Sequence, residues 1–443
     1  MKEGAACLVI ACLAVPVQAA AGDVRPQPQS EPEVDWALQI EGAPLIMTGF
    51  VDVRGGVRMQ NDPEEDTATL AETRVQLEFF RDLDDRAYKL VVDLLADPLQ
   101  EQQQVNLERG KGVLDLREAS YIATLSDSVD IKAGRQILTW GTGDLIFIND
   151  MFPKDWQSFF IGRDIEYLKA PSDALKLSFF SPLVNLDVAY TPRFDTDRFI
   201  DGDRISFFNQ ARGKRTGDSD VLKKTIPDDW LGDDEVAVRA YRLLGSYEVA
   251  LYAYDGYWKS PAGFDPKAGD AIFPELTVFG ASIRGNVAGG LGNLEIGDYR
   301  SRDNSDGKNP FIRNGEYRVL AGYEREVAHE LTGGIQYYLE YMKDHDNYRD
   351  NLPPGVPEAD EDRHVVTVRL TQLLMHQNLE LSMFAYHSPS DNDGYLRPRA
   401  RYKLDDSWLL EAGANVFYGD KDYTFFGQFE KNTNVYAAMR YGF

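Results

Sequence analysis

Three features of this 443-residue chain predict an all-β fold, a transmembrane antiparallel up-and-down β-barrel of about 18 strands, within a range of 16–20. Runs of alternating apolar and polar residues follow one another from Leu45 to the end. The connections between these runs alternate short and long. The last run, 432–443, carries Val435, Ala437, Met439, Tyr441 and Phe443 on one face, and Asn434, Tyr436, Ala438, Arg440 and Gly442 on the other. A strand facing lipid needs an apolar outer row, while its inner row can be polar.

The N-terminus agrees with export. Lys2 precedes an apolar run from Ala5 to Val17 and then Gln18-Ala19-Ala20-Ala21, which predicts a signal peptide over 1–21 cleaved near Ala19 or Ala21. The only cysteines, Cys7 and Cys12, lie inside it. Its removal leaves no thiol for a disulfide, a Cys-ligated metal or covalent haem. Val9-Ile10-Ala11-Cys12 faintly resembles a lipoprotein cleavage box, but the apolar run before Cys12 is very short. Residues 22–44 are rich in proline and acid (Pro26, Pro28, Glu31, Pro32, Glu33, Asp35) and read as a flexible periplasmic lead, too short for a plug domain. The barrel is assigned to 45–443.

Composition narrows the classes. Mean hydropathy is -0.40 and 27% of residues are charged. After the signal no apolar run approaches the roughly 18 residues of a spanning helix. A net charge of -25 argues against nucleic acid, which calls for a basic surface. It fits an acidic rim that binds divalent cations or bridges to lipopolysaccharide, or simply solvated loop charge. The 23 tyrosines, 23 phenylalanines and 6 tryptophans supply interfacial girdles.

In chain order the expected strands are 45–59, 70–81, 86–95, 112–125, 128–138, 172–180, 183–192, 234–243, 246–257, 274–287, 290–300, 315–327, 331–343, 363–374, 377–387, 395–403, 408–418 and 432–443. In the first, Val51, Val53, Val57 and Met59 oppose Asp52, Arg54 and Arg58. In the second, Val75, Leu77 and Phe79 oppose Glu72, Arg74, Gln76 and Glu78. In the ninth, Tyr247, Val249, Leu251 and Ala253 share a face that ends at Tyr257. Those two tyrosines would sit roughly 25 Å apart in depth on a tilted strand, about the height of a lipid-facing band. The links at 82–85, 126–127, 181–182, 244–245, 288–289, 328–330, 375–376 and 404–407 are short and fall at every second connection. Those at 96–111, 139–171, 193–233, 258–273, 344–362 and 419–431 are long. Short periplasmic turns alternating with long extracellular loops is the barrel rhythm, and an even count puts both termini on the periplasmic side. A polar inner row implies a wet bore.

Two groups of residues could carry selectivity. On the sixteenth strand Arg397, Arg399, Arg401 and Lys403 share one face. A column of cations toward lipid would cost a few kcal/mol each near the midplane, so they face the bore. If the last strand pairs with the first, Arg440, Arg54, Arg58 and Arg74 join them as a pore-lining basic sector. The competing reading is ion pairing with inward acids such as Glu72, Glu78, Glu380 and Glu411. The second group is the connection 139–171, the natural constriction loop. It holds Asp144, Asp150, Asp155, Asp164 and Glu166 beside Trp140, Phe152, Trp156, Phe159 and Phe160. Folded inward, it would bury its aromatics and set its acids against the basic wall, making a transverse field. Packing over the outer mouth is the alternative.

Enzymatic signals are weak, and no enzyme, cofactor or metal is expected. His329, His345, His364, His376 and His387 are scattered, without ligand spacing. There is no Gly-x-Ser-x-Gly elbow or phosphate loop. Ser388-Pro389-Ser390-Asp391-Asn392-Asp393-Gly394 could grip Ca2+ through its oxygens, or form a plain polar hairpin.

Tyr441 and Phe443 resemble the terminal aromatic signature that the barrel-assembly machinery of Gram-negative bacteria reads. Gly134, Arg135, Gln136, Trp140 and Gly141, followed by Pro153-Lys154-Asp155, resemble an element of a large, poorly characterised family of proteobacterial outer-membrane barrels. That resemblance covers about 30 residues. It implies the barrel fold and an inward loop, but no substrate. More distantly, the strand number and basic lumen resemble specific porins for carboxylates and the alginate-export barrel. The expected function is an outer-membrane channel for passive passage of small polar or anionic solutes. The expected partners are outer-membrane lipid, lipopolysaccharide, the assembly machinery and a small solute. The alternative is a structural barrel that sheaths or docks a periplasmic partner, such as a multihaem cytochrome or an export apparatus.

Overall fold

A computed structural model of the chain describes residues 45–99, 104–210 and 212–443. The expected signal peptide, the 22–44 lead and both cysteines lie outside the described residues. Eighteen long strands form one closed antiparallel sheet: β1 (Leu45–Arg58), β2 (Ala68–Leu83), β3 (Arg86–Ala96), β4 (Leu114–Ser126), β5 (Val129–Gln136), β6 (Ser172–Phe179), β7 (Asn185–Thr191), β8 (Glu235–Leu244), β9 (Tyr247–Tyr257), β10 (Glu275–Val287), β11 (Gly290–Ser301), β12 (Glu316–Ala328), β13 (Leu331–Met342), β14 (Asp362–Leu374), β15 (Leu379–Ser388), β16 (Asp393–Lys403), β17 (Trp408–Gly419) and β18 (Asn434–Gly442). Each pairs with the next in sequence. β18 returns to β1 in a register running from Phe50 opposite Gly442 to Arg58 opposite Asn434. Closure leaves no sheet edge with unpaired backbone groups, which is what a strand-built membrane span requires. Among the described residues no helix is long and apolar enough to cross a membrane.

The alternation sets the two faces. On β1, Asp52 is 2% exposed and its neighbour Val53 47%. On β18, Tyr436 is buried while Val435, Met439 and Tyr441 are exposed outward. Every expected strand is present, with ends shifted by a few residues. β5 stops at Gln136 rather than 138, where it pairs with Ser172, the first residue of β6. β18 begins at Asn434 because 427–432 coils into a 3₁₀ turn. Pro398 sits within β16, where pairing to β17 lapses between Leu396–Val416 and Arg399–Gly413. The ring nitrogen has no proton to give the ladder there.

The long-loop end carries structure that period-two reasoning does not reveal. Phe207–Asn209 pairs with Lys214–Thr216, and Lys224–Thr225, Gly263–Asp265 and Asp270–Ile272 make a second small sheet. Elements of two or three residues are too short to show a period. The wet bore implied by the polar inner row needs correcting. A packed cluster that includes Phe152, Trp156, Phe159, Phe160 and Ile161 occupies it where 139–171 crosses. The segment 388–394 is a plain hairpin turn. Asp391 pairs with Arg363 at 2.7 Å, and Asp393 accepts the Phe426 N–H at 2.6 Å.

Candidate functional site: the inward loop and the wall it faces

The loop leaves β5 through the Gly-Arg-Gln element. Gly134 has φ +110°, and a Cβ there would lie 2.3 Å from the Ala119 carbonyl oxygen, so only glycine fits. Arg135 grips Asp173 with two N–H groups, at 2.8 and 2.6 Å, and donates to the Leu107 carbonyl at 3.0 Å. Gln136 donates to the Ala174 carbonyl at 2.8 Å. These contacts pin β5 to β6 at the loop's root. Trp140 stands edge-on to Phe152, ring centres 4.9 Å apart. Gly141 (φ +86°) turns the chain into the bore beside Glu295.

The first half of the loop docks on β11, β13 and β14. Glu295 accepts the Gly143 N–H at 2.6 Å and the Asn149 side-chain amide at 2.9 Å. Gln336 accepts the Asp144 N–H at 2.7 Å, and Asp144 pairs with Arg369 at 3.0 Å. A short helix, α1 (Trp156–Ile161), follows. Asp155 caps it by accepting the Ser158 N–H at 2.7 Å, and left-handed Gly162 ends it.

The second half docks on the opposite wall. Arg54 donates to the Gly162 carbonyl at 2.9 Å, Asn434 to Phe160 at 3.0 Å and Arg397 to Arg163 at 3.1 Å. Arg163 reaches Glu72 at 2.8 Å. Asp164 faces Arg440 at 3.4 Å, Arg401 at 3.6 Å and Arg54 at 4.0 Å, and Glu166 faces Arg440 at 3.1 Å. The loop therefore spans the bore from one side to the other.

The acids divide. Asp144, Asp164 and Glu166 meet arginines of the wall. Asp150 and Asp155 do not: Asp150 pairs within the loop with Lys154 at 3.0 Å, and Asp155 with Arg198 of the 192–234 connection at 3.4 Å. Burial opposes ionisation of Asp164. The guanidinium groups of Arg440, Arg401 and Arg54 outweigh it and hold the carboxyl below the usual range. The Glu166 side chain is 43% exposed, yet partial loss of solvent around its carboxyl pushes it up, and the negative charge of Asp164 pushes it further.

The cations divide as well. Arg54, Arg401 and Arg440 gather round Asp164. Arg399 pairs with Glu380 at 2.7 Å, and Arg401 and Arg54 share Glu411 at 3.5 and 2.9 Å. Arg397 lies over the Phe159 ring at 4.2 Å, enclosed beneath the loop. Arg74 pairs with Asp93 at 2.6 Å and covers the Tyr167 ring, and Arg58 turns to Glu65 at 3.6 Å near the long-loop end. Lys403 is exposed at the short-turn end. Arg58, Arg74 and Lys403 thus stand apart from the cluster, because strands of 11, 14 and 16 residues spread their inward residues over the whole height of the wall. The receiving residues Glu295, Gln336 and Arg369 carry only one signal in sequence, their place on the inward row. Tyr441 and Phe443 lie on the outer face, Tyr441 against Trp408 at 4.9 Å.

No family model matches the sequence, and no curated protein does. Solved structures match in fold. OccAB4 of Acinetobacter baumannii aligns over 90% of this chain and 97% of its own, with TM-score 0.53 and 10% identity. The chain shares the closed antiparallel β-barrel fold of that protein. OmpF of Salmonella typhi, solved in complex with daunomycin, aligns over 91% and 98% with TM-score 0.44 and 10% identity. The outer membrane channel DcaP of Acinetobacter baumannii aligns over 91% and 98% with TM-score 0.42 and 13% identity. At these identities the barrel architecture is what the likeness establishes, and the chemistry of this barrel rests on its own loop and wall.

Proposed function

We propose that this barrel is a channel of the Gram-negative outer membrane that passes small polar or anionic solutes by diffusion. It is delivered by the 1–21 signal peptide and inserted by the assembly machinery among lipid and lipopolysaccharide. The observation that carries the reading is the opposition of Arg54, Arg401 and Arg440 on the wall to Asp164 and Glu166 on the inward loop. Charges of both signs, held in contact at 3.1–4.0 Å where the loop narrows the bore, set up a local field that orders ions and dipolar solutes passing beside them. A loop that only sealed the barrel would gain more from apolar contact, since burying paired charges is rarely stabilising on balance. The test is conductance of the purified protein in a planar bilayer. Discrete channel openings in simple salt are expected. A silent bilayer, with heat-modifiable, folded protein incorporated, would remove the channel reading.

A further inference from the structure

Above the helix of the inward loop, on the long-loop side, lies a cavity of about 370 Å³. Trp156 and Phe160 of α1 contribute to its floor, and Phe199, Phe207, Phe208, Phe264, Phe425 and Phe429 to its walls. Three separate connections, 192–234, 258–274 and 420–433, supply those walls. Small-molecule sites have this size and this character, predominantly apolar and aromatic with a few placed polar groups. Its polar lining includes Asn209, Gln210, Gln428, Ser260, Lys223 and Asp220. The other lining cation, Arg212, is paired with Asp220. Lys223 has no carboxylate partner among the described residues.

We propose that this vestibule is a capture site for a ring-bearing organic anion, an arene or fused-ring solute with one negative group. The proposal rests on the channel reading and names the kind of solute that enters first. Rings stack edge-to-face or offset on the phenylalanine walls. The anionic group meets Lys223, and the amides of Asn209 and Gln210 satisfy its remaining acceptors. The floor is the same helix whose far end is held by the arginine wall through the Gly162 carbonyl. An aliphatic anion satisfies Lys223 but leaves the walls unfilled, and a neutral arene does the reverse.

The test is isothermal titration of naphthalene-2-sulfonate, permanently ionised, into the purified barrel in detergent-matched buffer, with 2-naphthol and acetate as the neutral and ringless probes. Saturable binding of the sulfonate is expected, with acetate not detected. Phe208→Ser with Phe264→Ser should weaken both naphthalene probes about tenfold, the loss of two stacking contacts. Lys223→Gln should weaken the sulfonate and leave 2-naphthol unchanged. Non-saturable uptake, or sulfonate binding indifferent to both changes, means micelle partition and overturns the site. If the double variant loses heat-modifiable folding, the exposed Lys223 decides, and equal effects on the two naphthalene probes sink the proposal. Conductance measured in parallel separates the two readings. Conductance without binding overturns this site alone, and binding without conductance overturns only the channel.

Discussion

Arg440 on the last strand lies between two carboxylates of the inward loop, 3.4 Å from Asp164 and 3.1 Å from Glu166, while its Nε holds Asp52 of the first strand at 3.0 Å. One guanidinium therefore joins the closing strand, the opening strand and the loop. Its five donors and fixed planar fork suit it to bind several carboxylates at once, which an ammonium group does less well.

Asp164→Asn should loosen the loop. The change removes one of several carboxylates round Arg54, Arg401 and Arg440, so a loss of about 1–3 kcal/mol is expected rather than collapse. The heat-induced gel shift should move to lower temperature and single-channel conductance should rise. An unchanged conductance would show that the loop is held by its aromatic cluster alone.

Selectivity should follow the wall. The net charge of -25 draws cations to a wide mouth, where salt screens beyond a Debye length of about 8 Å at physiological ionic strength. Arg399 and Arg401 act in the confined bore. Weak anion preference is expected at physiological salt, drifting toward cations as salt is lowered. Arg399→Gln with Arg401→Gln should move the reversal potential toward cations. No movement means that their pairing with Glu380 and Glu411 is purely structural.

Acid should sharpen anion preference. Partial desolvation and Asp164 raise the Glu166 carboxyl above the ordinary glutamate range, so of the two loop carboxylates at Arg440 it gains its proton before Asp164 as pH falls. Asp164, held below its range by the arginines, stays charged. The loop then loses one negative charge while the wall keeps its positive ones. Reversal potential measured against pH should show a step above the usual glutamate range, and Glu166→Gln should abolish it. A step that survives that change assigns the titration elsewhere.

Removal of Phe443 should reduce the yield of inserted barrel. Its ring is 46% exposed on the outer face, and its backbone exchanges two hydrogen bonds of 2.9 Å with Gly49 across the seam. Membrane fractions probed for the heat-modifiable band measure the yield. Equal insertion of the shortened chain would rule out a sorting role.

The strands were legible because a half-buried strand writes its environment at every second residue: Asp52 inward, Val53 outward, Arg54 inward. The partners of those inward residues were not. Arg54 meets Glu411 from 357 positions away, and no local period records such a meeting. The same limit explains the acids of the loop. Their residue types announced charge, but α1 and Gly162 decide that Asp164 reaches the wall while Asp155 caps a helix. The vestibule walls were invisible for a further reason. Phe207, Phe264 and Phe425 belong to three distant connections whose convergence depends on the closed ring.

The seam between β1 and β18 has a consequence for the order of assembly. Arg54 comes from the first strand, Arg440 from the last, and both hold the segment 162–166. Until the terminal strand zips onto the initial one, half of the loop's berth does not exist. Docking of the loop therefore waits on closure: an open, half-built sheet offers only part of the berth, and only the finished cylinder holds its own constriction in place.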